Sequence, residues 1–234
     1  MMPESESGSV RERKEIIRVF DTIAEEFCHS RRRVWKSLED AGPFEGQTVL
    51  DLGAGSGRNV RYLLEKGAAL VVAADVSSEM IKVLTSNLKE EFRGTVHPLR
   101  CDAIHLPFQA STFDKVIFVA TIHHIPNRTS RLRAMEEVRR VLKDGGTVLI
   151  TAWSLIQKRF LRALPGMVAG WFKGREFGDT YVPWGGERRF YHLFKLGELR
   201  SLVERAGFLI EKAYGERVSS RLLAENWVVL ARKV

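Results

Sequence analysis

The segment Val49-Leu-Asp-Leu-Gly-Ala-Gly-Ser-Gly-Arg-Asn59 constrains this chain more than any other. An apolar run of strand length stops at glycines 53, 55 and 57, and a helical pattern follows. Glycine reaches backbone conformations closed to other residues and lets the main chain approach a ligand closely. Similar turns occur at nicotinamide and flavin sites, with G-x-G-x-x-G spacing and a diphosphate on a helix N-terminus. Here Arg58 stands where the third glycine of that spacing belongs, and an acid, Asp51, precedes the first glycine by two residues.

Strand and helix patterns alternate from there. Strands are expected at residues 48–52, 69–75, 95–100, 113–120 and 147–153, with helices at 57–66, 77–91 and 130–142 between them. Ser77 or Ser78 suits the cap of the second of these helices. Asp144-Gly-Gly146 reads as a sharp turn. Strands separated by helices imply a mostly parallel sheet covered on both faces, an α/β fold. A helix 195–206 and strands 208–214 and 226–232 complete a seven-stranded sheet.

Ahead of this core, residues 1–8 read as a disordered tail. Ser9-Val-Arg-Glu12 has the form of a capping box, so a helix is expected from Ser9, alone or paired, to about Asp40. Ile16, Phe20, Ile23 and Phe27 recur on one face of it. Residues 154–193 break the alternation with many Gly, Pro and aromatic residues, which suggests an irregular inserted lid with short helices. One domain over 9–234, carrying this insert, is the expected organisation.

Composition narrows the classes. The formal charge is +8, from 37 basic and 29 acidic residues, which favours polyanionic partners, nucleic acid before membrane. Cys28 and Cys101 are the only cysteines and form no CxxC or Cys/His cluster, against a disulfide scaffold or a metal of the chain's own. The N-terminus has no signal-peptide pattern, and no apolar stretch approaches the roughly 20 residues that span a bilayer. A cytoplasmic protein without a membrane role is expected.

The Asp-x-Gly-x-Gly-x-Gly form at Asp51, Gly53, Gly55 and Gly57 resembles the signature of class I methyltransferases, which have a Rossmann-like fold and use S-adenosyl-L-methionine. The methionine part of that cofactor carries a cationic amine, which Asp51 can hold directly or through water. Asp75 closes the second strand, where an acid accepts from ribose hydroxyls, and Val76 follows it. Asp102 after the third strand can accept from the adenine amino group, with the backbone N–H of Ala103 on the ring. Ala120, at the end of the fourth strand, completes the set. Each acid by itself also reads as a cap or turn residue; their occurrence at three successive strand ends puts them on one edge of the sheet.

Further segments resemble the tRNA wobble-uridine carboxymethyl methyltransferases. They are Phe20-Asp-x-Ile-Ala-x-x-Phe27 with Ser30-Arg31 and Trp35, Ile122-His-His124, Arg189-Phe-Tyr-His-Leu-Phe194 and Glu225-Asn-Trp227. The resemblance implies methyl ester formation on 5-carboxymethyluridine in the anticodon. A carboxylate ionises near a pKa of about 4, so positioning and desolvation matter more than a general base. Arg forks carboxylates best, which points to Arg31 and Arg189, with His123 and Tyr191 as further catalytic candidates. Trp153 suits base stacking, and His192 and Asn226 suit substrate contacts. Arg31 also reads as part of a solvated Arg31–Arg33 run, His123 as a junction residue, Tyr191 as lid core and Asn226 as strand packing.

Between Ser154 and His192 seven basic residues face three acids, and the aromatic content of the insert suits unstacked anticodon bases. The resemblance also implies a small zinc-binding activator subunit that extends the sheet at its third-strand edge, one way to cover an exposed edge. A small-molecule methyltransferase acting on a quinone or metabolite would share the cofactor half but would not require the basic insert. An RNA-binding scaffold without turnover would not require Asp51, Asp75 and Asp102 together.

Overall fold

A computed structural model describes residues 4–30, 34–218, 220 and 223–234. The elements in order are α1 (Glu4–Ser30), β1 (Thr48–Leu52), α2 (Arg58–Glu65), β2 (Leu70–Asp75), α3 (Ser78–Asn87), β3 (Val96–Arg100), β4 (Phe113–Val119), α4 (Arg128–Val141) and β5 (Leu142–Trp153). Then come α5 (Leu164–Trp171), β6 (Asp179–Trp184), β7 (Glu187–His192), α6 (Leu196–Arg205), β8 (Phe208–Glu216) and β9 (Asn226–Lys233).

Seven strands form one sheet in the order β3-β2-β1-β4-β5-β9-β8. The first five run parallel, and β9 alone is antiparallel to its neighbours β5 and β8. The central strands are apolar runs because both faces are covered. Met135 and Val138 of α4 and Leu199 and Val203 of α6 pack on one side. Val60 and Leu63 of α2, Leu84 of α3 and Phe44 pack on the other. Strand order reverses between β1 and β4, and that switch point, at the carboxyl ends of the strands, is where open α/β sheets bind ligands.

Four boundaries differ from the sequence reading. α1 begins at Glu4, not Ser9, so most of the segment expected as a disordered tail continues the helix. The helix stops at Ser30 instead of reaching Asp40, and Lys36–Ala41 forms a separate 3-10 turn. β5 starts at Leu142, because Asp144-Gly-Gly146 is a bulge inside the strand: Phe113 pairs with Leu142, then Lys115 with Thr147.

The fourth difference is the insert. It is not only short helices: β6 and β7 form an antiparallel hairpin closed by Gly185-Gly186, with Trp184 opposite Glu187. Both glycines have positive φ, 53° and 81°, as a two-residue hairpin turn of the primed type requires. A Gly-Gly pair between two strand-like runs carries this signal in the sequence.

Candidate active site

A cleft of about 850 Å³, solvent at its mouth included, opens at the carboxyl ends of β1, β2 and β4. Its floor is the glycine turn. Gly53 has φ +75°, and a Cβ there would lie 2.1 Å from Thr121 Oγ1. At Gly57 a Cβ would come within 2.9 Å of Leu84. Gly55, between them, faces open space, with only Phe27 at 3.9 Å from a built Cβ. Two glycines are therefore needed for packing, and the third keeps the cradle clear.

Asp75 and Asp102 line the cleft, whereas Asp51, in β1 behind the glycine turn, is not in its lining. Asp75 accepts from Gly55 N at 2.8 Å and from Ser77 N at 2.9 Å, which ties the end of β2 to the glycine turn. Desolvation pushes its pKa above the usual carboxylate range. Asp51 is 1% exposed, and Asn59 donates to its Oδ1 at 3.1 Å. Its Oδ2 has no hydrogen-bond partner among the described residues. Burial, opposed by the Asn59 hydrogen bond, pushes its pKa up to about 7. A buried carboxylate oxygen without a partner, beside a turn kept open by glycine, fits the ammonium group of S-adenosylmethionine.

Asp102 is more engaged than expected. Its Oδ1 accepts from Ile104 N at 3.1 Å, and its Oδ2 is held by Arg13 of α1. An adenine amino group there would have to share this carboxylate with Arg13. Val76, Ala103 and Ala120 line the cleft as expected. Cys101 lines it too, but burial pushes its thiol pKa up to about 12, so it is inert.

The roof was not foreseen. Ile16, Phe20 and Phe27, read in the sequence as an apolar helix face, line the cleft, and Arg13 and Ile17 join them. Asp21 docks α1 by accepting from Ser77 Oγ at 2.7 Å and Glu79 N at 3.2 Å, at the N-terminus of α3. Ser77 itself caps α3 by accepting from Met80 N. The signal was present as i, i+4 spacing; what that face covers is a tertiary fact.

On the acceptor side the structure separates the two histidines. His124 lines the cleft, and its Nδ1 donates to Phe190 O at 2.9 Å, since a carbonyl can only accept. His123 is 1% exposed and lies outside the cleft lining. Its ring stacks on Tyr191 at 5.1 Å, and its Nδ1 accepts from Trp153 N at 3.3 Å. Burial first, then neighbouring His124 and Arg189, hold its pKa well below the ordinary value. His123 is thus a neutral packing residue, and its neighbour His124 faces the cleft.

Trp153 and Tyr191 are also buried and stack on each other at 4.2 Å. The Arg159 guanidinium lies 3.9 Å from the Trp153 ring centroid, so base stacking on Trp153 would need this pile to open. Arg189 is buried against Trp184 and Tyr191. His192 has both ring nitrogens bonded, to Asp179 at 2.7 Å and Glu198 at 2.8 Å, and is a clamp between elements rather than a substrate contact. Asn226 is buried at the start of β9, opposite Trp153 and Glu216, as strand packing. Arg31 lies outside the described residues.

Comparison with known proteins places this site in context. Residues 50–150 match the family model for a methyltransferase domain. A tRNA (carboxymethyluridine(34)-5-O)-methyltransferase of Schizosaccharomyces pombe is 30% identical over 95% of this chain and 97% of its own length. An Arabidopsis thaliana protein of the same description is 33% identical over 63% of this chain, which spans 34% of it. A SAM-dependent methyltransferase of Methanosarcina mazei shares the fold at TM-score 0.71 and 24% identity, covering 86% of this chain and 98% of its own. A chain from the complex of the Haloferax volcanii Trm112 methyltransferase activator with a methyltransferase shares it at TM-score 0.66 and 18% identity, covering 93% and 96%.

Proposed function

This chain belongs to the tRNA (carboxymethyluridine(34)-5-O)-methyltransferase family, and from that premise we propose that it methylates the carboxylate of 5-carboxymethyluridine at the tRNA wobble position, giving the methyl ester. It is a SAM-dependent methyltransferase. The observation that carries the acceptor assignment is the extent of the likeness to the fission-yeast enzyme. At 30% identity it runs over 95% of this chain, well beyond residues 50–150 that the general methyltransferase-domain model matches.

S-adenosylmethionine supplies an electrophilic methyl group on a sulfonium. Asp75 accepts from the ribose hydroxyls, Asp51 takes the ammonium group, and Asp102 with the Ala103 N–H meets the adenine. The acceptor carboxylate is already ionised, so the acceptor side has to orient it in line and exclude water. Arg189 is the candidate fork for that carboxylate, with Arg31 as the second cation; buried against Trp184 and Tyr191 and outside the cleft lining, it reaches the acceptor only if these rings move aside. His124, its ring fixed by Phe190 O, takes the position at the cleft that His123 was expected to fill. The α1 roof keeps water from the methyl group.

A small zinc-binding activator at the β3 edge belongs to this reading, supported by the fold shared with a Trm112-bound methyltransferase. The edge has one specific constraint. Thr95 O and Cys101 N bond to β2, so Val96, Pro98 and Arg100 turn their backbone groups outward. Pro98 has no N–H, so a paired strand loses one donor at the centre of the edge.

The test supplies radiolabelled methyl donor, the activator, and tRNA carrying or lacking 5-carboxymethyluridine. Label in a base-labile ester on the modified tRNA only is the expected result. No transfer to any tRNA would sink the assignment. Arg189→Ala should impair substrate use and leave cofactor affinity unchanged; equal loss of both refutes its assigned role.

A further inference from the structure

The buried Trp153 leaves the aromatic character of the insert expressed elsewhere. α5 and the residues after it end in side chains that face water: Phe172 is 79% exposed and Trp171 56%, their rings 5.3 Å apart. Val168 lies one turn earlier on the same exposed face. An isolated exposed apolar residue needs no explanation, but adjacent aromatics on one short element mark an interaction surface.

The charge around them is of one sign. Residues 154–175 contain Lys158, Arg159, Arg162, Lys173 and Arg175 and no acid. Arg159 is committed to the Trp153 ring, and Arg175 lies 5.7 Å from the Tyr181 ring. Lys158, Arg162 and Lys173 are exposed, with no ion-pair partner among the described residues. Flat apolar rings among unpaired cations match a polyanion with flat bases. The apolar face is too short for a membrane helix: α5 has eight residues, and Met167 is turned inward.

The inner side of the same element reaches the active site. Met167 and Leu164 pack with Trp153, Phe160 and Tyr191 in a small separate core. Tyr191 meets His124 edge-on at 4.4 Å, and His124 lines the cleft. The outer face is thus joined to the cleft through this core, Tyr191 and His124.

We propose that Trp171 and Phe172, with Arg162 and Lys173, form a docking platform for single-stranded RNA flanking the modified nucleotide. The rings stack on unpaired bases, and the cations meet backbone phosphates. The identification of the polyanion rests on the tRNA reading above; the surface itself rests on exposure and charge.

Fluorescence anisotropy with the full chain, its activator and an anticodon stem–loop RNA tests it, beside turnover on modified tRNA. Trp171→Ala/Phe172→Ala should raise the RNA Kd at least tenfold and KM for tRNA in parallel, with S-adenosylmethionine affinity unchanged as proof of folding. Trp171→Phe should retain most of the affinity, because stacking is sequence- and ring-tolerant. Lys173→Glu should weaken binding and flatten its salt dependence. Unchanged RNA affinity in the double variant overturns the proposal. So does a wild-type chain that sediments with phosphatidylserine/phosphatidylcholine vesicles through these two rings while its RNA affinity ignores them. If the wild type binds the RNA through the platform but transfers no methyl to 5-carboxymethyluridine, the platform stands and the acceptor assignment falls.

Discussion

Asp51 shows how one buried atom couples binding to pH. Its ionised form is disfavoured by burial, so its pKa in the folded chain is about 7 against an unfolded value near the ordinary 3.8. Between these values the native state holds the proton and the unfolded state does not, so the stability of the ligand-free protein falls as pH rises through this window. A cationic amine reverses that penalty by pairing with the carboxylate, and binding below about pH 7 must release a proton. S-adenosylmethionine affinity, measured by calorimetry, should therefore rise from pH 5.5 to 7.5. Asp75, also raised by desolvation, adds a slope of the same sign, so Asp51→Asn should reduce the slope and lower affinity without abolishing either. A pH-independent affinity in the wild type would contradict the pairing. The glycines separate differently. Gly53→Ala puts a Cβ into Thr121 at positive φ and should cost about 2–3 kcal/mol of stability. Gly55→Ala meets nothing closer than Phe27 but also sits at positive φ, +55°, so it should cost about 1–2 kcal/mol, less than Gly53→Ala, and fail mainly in cofactor affinity. Thermal melts beside binding isotherms distinguish the two.

At the scale of elements, the β6–β7 hairpin is held by charge as well as by packing. His192 at the end of β7 bridges Asp179 of β6 and Glu198 of α6, and Arg131 of α4 pairs with Glu176 just before β6. Burial alone would lower the His192 pKa, but the two carboxylates outweigh it and the net shift is upward. The groups around it are two acids on its own nitrogens, a third acid at Glu176 and the cation Arg131. A raised histidine pKa contributes stability that is complete below the unfolded value of 6.5 and is lost as pH climbs through the folded one. The protection factors of the 179–192 amides, with intrinsic base catalysis divided out, should therefore fall from pH 6 to pH 9, and His192→Gln should remove that fall. His192→Ala should cost about 3 kcal/mol, because it strands two partly buried carboxylates. Protection factors that ignore pH in the wild type would mean that the clamp carries no charge. The motif Arg189–Phe194 was legible as special from its residues; that its histidine is a clamp and its tyrosine a packing partner depends on what α6 and β5 bring alongside.

For the whole molecule, the +8 charge and the β3 edge of the sheet are the features on which the proposed association with tRNA and an activator depends. If about five phosphates are neutralised, tRNA affinity should drop roughly 100-fold between 50 and 200 mM salt, readable by filter binding. A salt-insensitive Kd would leave the basic insert without a role. With the activator bound at β3, soluble yield and turnover should both rise over the chain alone. A monodisperse, fully active chain by itself would show that no such subunit is needed. None of the described helices is long and apolar enough to cross a membrane.

The sequence by itself determined the α/β alternation, the cofactor class and the placing of three acids at successive strand ends, because these depend on local pattern. Strand–turn–helix spacing brings Asp51, Asp75 and Asp102 to one sheet edge whatever the rest of the chain does. Only the tertiary structure decided which side chains complete the site. His123 and His124 are neighbours in the chain and point to different surroundings, one into packed rings and one into the cleft. The apolar face of α1 carries the same periodicity whether it covers a core or roofs a ligand. Trp153, at the end of β5, and Trp171, in the insert, are the same residue type, yet one is 5% exposed and the other 56%. Burial is a sum over neighbours distant in sequence, and no local pattern contains it.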